Sequence, residues 1–250
     1  MRRALLALVF GAAAASIPGA AAGPGVGLSA SPLRVTLKDA SSSAVTVRNP
    51  GRRTLLVDAS RAGFTRSLRG KPQVRPARDA VTWLRLRPRR FRLAPRAKTT
   101  LHVVAAPSRR AAPGDHPALV LLTTRPLGVR HVRVRMRVGV IVDLRVKGRI
   151  VRRLDARGLA VRREGAVRLL ELRLANRGNV TERLVADRLR LWLIRRRRFA
   201  TLRPAPRELL PHSTGVAVFA YRGPLRGSVL ARVELRGSVP GPRRWFHIRL

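Results

Sequence analysis

The chain has 250 residues, of which 45% are hydrophobic, so it can bury a core and has the length of one large or two small domains. Lys and Arg total 54 against 12 Asp and Glu, and the formal net charge is +42. Most of these cations lack an internal carboxylate, which predicts an anionic partner such as a nucleic acid, a wall polymer or a lipid surface. The absence of cysteine excludes disulfides, thiolate metal sites and a cysteine nucleophile.

The first 22 residues have the pattern of an export signal. Arg2 and Arg3 precede an apolar run from Ala4 to Ala15, and small residues end the segment before Gly23. This order is typical of a cleaved signal peptide. No later stretch approaches 18 uninterrupted apolar residues, so we expect a secreted, extracytoplasmic protein of the bacterial cell envelope with no integral membrane span.

Short β-rich segments separated by turn residues follow from Gly27. The pattern predicts strands at 33–38, 45–48, 54–59, 81–86, 91–93, 99–105 and 118–124. The Arg-, Gly- and Pro-rich stretch 61–80 is predicted to be a long loop. Strands at this spacing with no helical periodicity favour a β-sandwich.

The longest alternating stretch closes this first unit. Every even position from Val132 to Val146 is apolar, whereas the odd side begins with His131, Arg133, Arg135 and Arg137. A strand places alternate side chains on opposite faces, so one face would be buried and the arginines would point away from it. We expect a bend at Gly139, because fifteen residues exceed the length of most strands.

A second unit repeats the order of the first. A strand that ends in Asn-x-Gly occurs at Asn49 and again at Asn176, and further strands are predicted at 170–174, 184–194, 215–221, 228–236 and 244–250. The sequence predicts an all-β protein of two immunoglobulin-like sandwiches in tandem. The expected boundaries are a signal peptide at 1–22, a first domain at 23–147, a linker at 148–157 and a second domain at 158–250.

Five short motifs resemble a known family: SPLRV at 31–35, VTVRNPG at 45–51, WLRL at 83–86, FRLAP at 91–95 and PGDH at 113–116. They look like the N-terminal immunoglobulin-like domain of WxL-interacting bacterial surface proteins. The resemblance implies a first domain that binds peptidoglycan and a second sandwich that binds a protein partner.

The same architecture is similar to that of periplasmic pilus chaperones. Those proteins use an alternating apolar edge strand of the first domain to complete a subunit's sheet, and basic residues in the cleft to hold its terminal carboxylate. This similarity implies that the stretch from Val132 could donate a strand, with Arg34 and one of Arg133, Arg135 or Arg137 as anchors. An ordinary strand with one core face would show the same alternation.

The sequence predicts neither catalysis nor a cofactor or metal. The five histidines are dispersed, and no paired metal-ligand spacing, nucleophile motif or glycine-rich phosphate loop occurs. Trp83, Trp192 and Trp245 fall in predicted strands, where core packing is expected of them.

The arginine run at 195–198 lies between an apolar strand and Phe199, so we expect a solvated hairpin tip. The main hypothesis is a non-catalytic envelope scaffold that binds anionic wall polymer and a surface protein. A pilus-type chaperone and a basic nucleic-acid-binding protein are alternatives, although nucleic acid is not the expected partner of an exported chain. The candidate binding residues share a positive charge: Arg34, Arg133, Arg135, Arg137, Arg195, Arg196, Arg197 and Arg198.

Overall fold

A computed structural model describes residues 27–75, 80–125, 135–237, 239–240 and 245–250. Within these residues the chain is almost entirely β, and the strands form two immunoglobulin-like sandwiches in tandem. The predicted fold class is therefore confirmed. The predicted signal peptide and Arg133 lie outside the described residues.

The first sandwich contains ten strands and one helical turn in two sheets. One sheet has the order β1-β3-β8-β6, and the other has the order β2-β10-β9-β4-β5 with β7 also on β4. The elements are β1 (Ser29–Ser31), β2 (Arg34–Lys38), β3 (Ser42–Arg48), β4 (Leu55–Arg66), β5 (Pro72–Arg75), α1 (Ala80–Trp83), β6 (Leu84–Arg87), β7 (Arg90–Leu93), β8 (Lys98–Ala105), β9 (Gly114–Thr124) and β10 (Arg137–Val146).

Alternation along the strands builds the core of this first sandwich. Val45 and Val47 of β3 meet Leu101 and Val103 of β8, and all four side chains are fully buried. Their neighbours along each strand point to solvent, as a two-residue period requires. Each buried aliphatic side chain contributes about 1.5 to 3 kcal/mol before the entropy cost of ordering.

The second sandwich is built in the same way from the remaining strands. Its larger sheets have the orders β17-β12-β11-β19 and β15-β14-β18-β20, and β13 pairs with β16. The elements are β11 (Arg153–Glu164), β12 (Val167–Asn176), β13 (Glu182–Leu184), β14 (Leu189–Arg195), β15 (Arg198–Leu202), β16 (Arg207–Leu209), β17 (Thr214–Tyr221), β18 (Ser228–Leu235), β19 (Val239–Pro240) and β20 (Trp245–Arg249).

The two Asn-x-Gly sites occupy equivalent places in the two sandwiches. Asn49 donates its amide to the carbonyls of Leu93 and Ala94, and its own oxygen accepts from the N–H of Gly51. Asn176 makes the same contacts with the carbonyls of Leu209 and Leu210 and the N–H of Gly178. Both side chains are buried and satisfied, so each one ties a strand end to a distant turn.

The described part of the alternating stretch is β10. Val140, Val142 and Leu144 are fully buried in the first core, and the arginines at 135 and 137 are exposed on the other side. Pairing with β9 continues through Gly139 without a register shift, so the strand is not interrupted there.

Three local predictions differ from the structure. The predicted loop at 61–80 begins as a continuation of β4 to Arg66, and β5 follows it. The predicted strand at 81–86 begins instead as the helical turn α1 and becomes extended only at Leu84. Strand β11 begins at Arg153, inside the segment expected to be a linker.

A small apolar cluster joins the two sandwiches. Leu210 of the second sandwich packs between Ala62, Phe64 and Leu119 of the first, and all four are buried. This contact explains why β4 continues into a segment that looks like a loop, because its outer face is covered by the other sandwich and not by solvent.

Not all three tryptophans pack in the cores of the sandwiches. Trp83 packs against the first core. Trp192 is part-buried on the outer side of its sheet, and Trp245 is 50% exposed. The expectation of core packing is therefore wrong for Trp245.

Candidate functional site

A cleft lies where β2 and β10 face the second sandwich. Strand β2 runs parallel to the second half of β10, with Arg34 opposite Ile141 and Lys38 opposite Arg145. Alternate residues of β10 point out of the first core and into this cleft, which has a volume of about 500 Å³. Its charged lining includes Arg34, Asp115, Asp143, Arg145, Arg183 and Glu208.

Arg34 is paired with carboxylates of its own chain. Its Nη1 donates to Oε1 of Glu208 at 2.5 Å, and its Nη2 donates to Oε2 at 2.6 Å. Its Nε lies 3.3 Å from Oδ2 of Asp143. Arg66 adds a third donor to Glu208 at 3.1 Å. A bidentate guanidinium pair is among the stronger ion pairs in proteins, so Glu208 holds Arg34 in place.

The surroundings shift the pKa values of Glu208 and Asp143 in opposite directions. The hydrogen bond from Arg34 lowers the pKa of Glu208 below its ordinary value, and this outweighs the effect of burial. Burial raises the pKa of Asp143, because Arg34 compensates it only in part. Of these two carboxylates, Glu208 is therefore the more firmly ionised, and Asp143 takes up a proton more readily.

A second ion pair also lines the cleft. Arg145 donates to both carboxylate oxygens of Asp115, at 2.5 and 2.8 Å. Asp115 also accepts the backbone N–H of Thr181 from the second sandwich at 2.8 Å. Asn179 donates to the carbonyl of Pro113 at 2.8 Å. These contacts set the relative position of the two sandwiches around the cleft.

One edge of β10 is open beside the cleft. Strand β2 covers β10 only from Ile141 to Arg145, and the N–H of Ile141 donates to the carbonyl of Leu33. The N–H groups of Gly139 and Arg137, two and four residues earlier, point to the same side. Within the described ranges no strand pairs with that side of β10 before Ile141.

Apolar side chains accompany this open edge. Met136 and Val138 pack against the first core but are only partly buried, unlike Val140, which is fully buried. Leu33 is 57% exposed just before β2. The start of β10 thus extends past the core and presents both backbone donors and apolar side chains.

The predicted binding residues fall in separate places. Arg34 lies in the cleft, whereas Arg135 and Arg137 are exposed near the start of β10. Nε of Arg137 donates to Oγ1 of Thr123 at 3.3 Å. The run Arg195, Arg196, Arg197 and Arg198 forms the predicted hairpin tip between β14 and β15, is exposed, and does not line the cleft. The binding role of these residues stays a prediction.

Sequence reasoning missed the carboxylates of the cleft. Glu208 is 174 residues from Arg34, and Asp143 lies on the outward side of an alternating strand without any motif around it. The sequence offered one usable signal, which is the small number of carboxylates. The chain has only 12 Asp and Glu residues, and several of them line this cleft.

The fold can be compared with that of solved structures. One match is a chain of a chaperone–tip adhesin complex of CFA/I fimbriae biogenesis, with a TM-score of 0.51 and 10% identity over 90% of this chain and 98% of that one. The same fold occurs in fimbrial chaperones. The class 5 fimbriae chaperone CfaA matches with a TM-score of 0.51 and 10% identity over 89% and 98% of the two chains. The E. coli chaperone DraB has a TM-score of 0.47 and 15% identity over 90% and 98%.

These comparisons correct the main functional hypothesis. The expected scaffold for anionic wall polymer or peptidoglycan is wrong, because the two solved structures with a TM-score of 0.51 come from a chaperone–adhesin complex and a fimbrial chaperone, and they favour the pilus-chaperone alternative. Nothing found supports the resemblance to WxL-interacting proteins. No protein-family model and no curated protein sequence matches the chain.

Among the described residues, no three His, Asp or Glu side chains come together as metal ligands would. The described helical segment is too short to cross a bilayer.

Proposed function

We propose that this protein is an exported chaperone of the pilus type, which holds an incompletely folded surface subunit by pairing with the open edge of β10. The partner would be a β-sandwich subunit that lacks one strand. A domain boundary between Val146 and Arg153, where β10 ends and β11 begins, and an extracytoplasmic location are part of the same proposal.

The open edge of β10 carries this proposal. An unpaired edge with apolar side chains invites another strand, and proteins usually protect such edges with bulges, charges or covering segments. Here the backbone groups of Arg137 and Gly139 are uncovered among the described residues, and Met136 and Val138 lie beside them half-buried. A strand added at this edge would continue the sheet β2-β10-β9-β4-β5 at the position that β2 leaves free.

The cleft supplies a candidate anchor at the end of the added strand. Arg34 lies opposite Ile141, where the open edge ends. A terminal carboxylate arriving there has the same chemistry as Glu208, which already occupies both outer nitrogens of Arg34. The partner's carboxylate therefore exchanges with Glu208 or shares the cleft with Arg183 and Arg145.

Gly139 offers a matched pair of variants for the test. Gly139→Pro removes the outward N–H, which β9 does not use, and proline is tolerated on an open strand edge. Gly139→Ala keeps that N–H, and its Cβ would meet only the side chains of Leu121 and Leu119, at 3.8 and 3.9 Å. Both variants should fold, which circular dichroism and the unfolding midpoint would verify.

The chain would be co-expressed with a fimbrial subunit from the same genome that lacks its last strand. We expect a one-to-one complex on size exclusion with the wild type and with Gly139→Ala, and loss of the complex with Gly139→Pro. If Gly139→Pro unfolds, Val138→Asp replaces it, with Val74→Asp on the exposed strand β5 as control. Equal complex formation by folded Gly139→Pro and wild type would overturn strand pairing at this edge.

A further inference from the structure

The outer side of the sheet β15-β14-β18-β20 carries an unusual set of side chains. Cross-strand pairing places them in two rows, and we call this set the aromatic face: Phe199, Ile194, Leu230 and His247 in one row, and Thr201, Trp192, Arg232 and Trp245 in the next. Leu191 and Leu193 of β14 and Ala231 of β18 point the other way and form the core. The aromatic face therefore lies on the side of the sheet that is turned away from the core.

The rings of this face are open to solvent. Phe199 is 71% exposed and Trp245 is 50% exposed, and they are the two aromatic side chains among the large exposed hydrophobic residues of the described part of the chain. Trp192 lies between them, with its indole N–H donating to Glu234 at 2.9 Å and its ring 6.3 Å from that of Phe199. A cluster of exposed rings on one sheet marks an interaction surface.

The charge around this face is positive. Arg190, Arg232 and Arg249 lie on the same side of the sheet, and the arginine hairpin 195–198 adjoins Phe199. Glu234 is the one carboxylate in the four strands, and it is already engaged by Trp192 and Arg236. A second copy of this chain would bring cations against cations, so the complementary surface is anionic with an apolar layer next to it.

We propose that the aromatic face binds the surface of an anionic phospholipid bilayer. Aromatic side chains favour the boundary between headgroups and acyl chains, where one end is apolar and the other is wet. Arginines beside them meet the lipid phosphates, and basic residues near an anionic membrane are attracted to its surface. The aliphatic centre formed by Ile194 and Leu230 suits acyl chains.

Stacking of nucleic-acid bases fits this face less well. The guanidinium carbon of Arg232 lies 5.5 Å from the ring centre of Trp245 and covers one side of that ring. Ile194 and Leu230 separate Trp245 from Phe199, so the two most exposed rings do not form a continuous stacking platform.

This inference is independent of the proposed chaperone function. The face lies on the second sandwich, and none of its residues lines the cleft or belongs to β10. Variants of the aromatic face can therefore lose membrane binding while they keep subunit binding.

The test is sedimentation of the full chain with vesicles of phosphatidylglycerol or of phosphatidylcholine across a salt series. Any protein of charge +42 binds anionic vesicles at low salt, so the comparison is made near 0.5 M salt, where the Debye length is only about 4 Å. The double variant Phe199→Ser and Trp245→Ser leaves the charge unchanged. The matched control is Leu56→Ser with Val74→Ser, two exposed residues of the first sandwich.

We expect the aromatic double variant to bind phosphatidylglycerol vesicles at least about tenfold more weakly than wild type, and the control pair to bind as wild type. Brominated lipid should quench tryptophan fluorescence of the wild type and quench Trp245→Phe less. Equal binding by the double variant and wild type would show that bulk charge suffices and overturn the proposal. Aromatic-dependent binding to a single-stranded oligonucleotide in place of vesicles would overturn it as well.

Discussion

At the scale of single residues, two buried asparagines hold equivalent corners of the two sandwiches. Asn176 donates to the carbonyls of Val180, Leu209 and Leu210 and accepts from the N–H of Gly178, and Asn49 makes the corresponding set. A side chain this well satisfied does more than cap a turn, because its removal leaves several buried backbone groups without a partner.

The variant Asn176→Ala should therefore lower the free energy of unfolding by about 2 to 4 kcal/mol. Urea unfolding followed by circular dichroism would measure it. Thr201→Ala, an exposed residue of β15, serves as control and should change stability by less than about 0.5 kcal/mol. A similarly small effect of Asn176→Ala would contradict the assigned hydrogen bonds.

The Arg34–Glu208 pair makes stability depend on pH in a defined direction. Since the pKa of Glu208 is lowered in the folded state, its contribution is present above the ordinary carboxyl pKa and is lost as pH falls through the folded value. Asp143 acts in the opposite sense, because its raised pKa favours the protonated folded state as pH falls.

We expect wild type to be more stable than Glu208→Gln at pH 7, and the difference to shrink as pH falls from the ordinary carboxyl pKa through the lower pKa of Glu208 in the folded state. Urea unfolding of both proteins at several pH values would test this. Glu164→Gln, which removes an exposed carboxylate near Arg162, should show little difference from wild type at any pH. A difference between wild type and Glu208→Gln that did not narrow as pH fell through the acid range would refute the assignment.

Some residues of the candidate site could be predicted from the sequence, and others could not. Arg34 was predicted as an anchor from the similarity to pilus chaperones, and it lies in the cleft. Glu208 could not be predicted, since only the docking of two sandwiches brings it to Arg34. The same limit applies to Trp245, because a strand position does not reveal which side of its sheet is covered.

At the scale of elements, β10 has two unlike edges. The even residues Val138 and Val140 pair with Leu122 and Val120 of β9, while the N–H groups of the odd residues point to the β2 side. Only from Ile141 onward does β2 satisfy that side.

Hydrogen exchange should report this asymmetry residue by residue. In the free protein we expect fast exchange at the amides of Arg137 and Gly139 and slow exchange at Val138, Val140 and Ile141. Nuclear magnetic resonance of the exchanging chain would measure it, with the fully paired amides of β12 as a protected reference. Slow exchange at Gly139 in the free protein would mean that the edge is already covered.

The strands that sequence alone could place are those with one core face and one solvent face. Strands β3 and β8 have this simple alternation and were predicted close to their observed positions. The continuation of β4 was missed because its buried side changes after Ala59, where Ala62 and Phe64 turn to the second sandwich. A pattern read along one strand cannot detect a partner that arrives from another domain.

At the scale of the whole molecule, the two sandwiches are held together by a few apolar contacts and by hydrogen bonds and ion pairs between them, which we call the polar frame. The buried cluster around Leu210 is small, and the polar contacts include the Glu208 and Asp115 networks, the Arg69–Glu171 ion pair and the N–H of Val216 donating to the carbonyl of Leu68. An interface of this kind permits relative domain motion when one of its parts is removed.

Leu210→Ala should therefore loosen the docking more than it disturbs either sandwich. Truncation of a buried leucine costs about 2 to 4 kcal/mol, and here part of that cost falls on the contact with Phe64 and Leu119. Small-angle scattering should show a larger radius of gyration, and trypsin should cut faster at Lys147, Arg149 or Arg152, between β10 and β11. Leu56→Ala, at an exposed position of β4, is the control. An unchanged radius and cleavage rate in Leu210→Ala would mean that the polar frame alone fixes the cleft between the sandwiches.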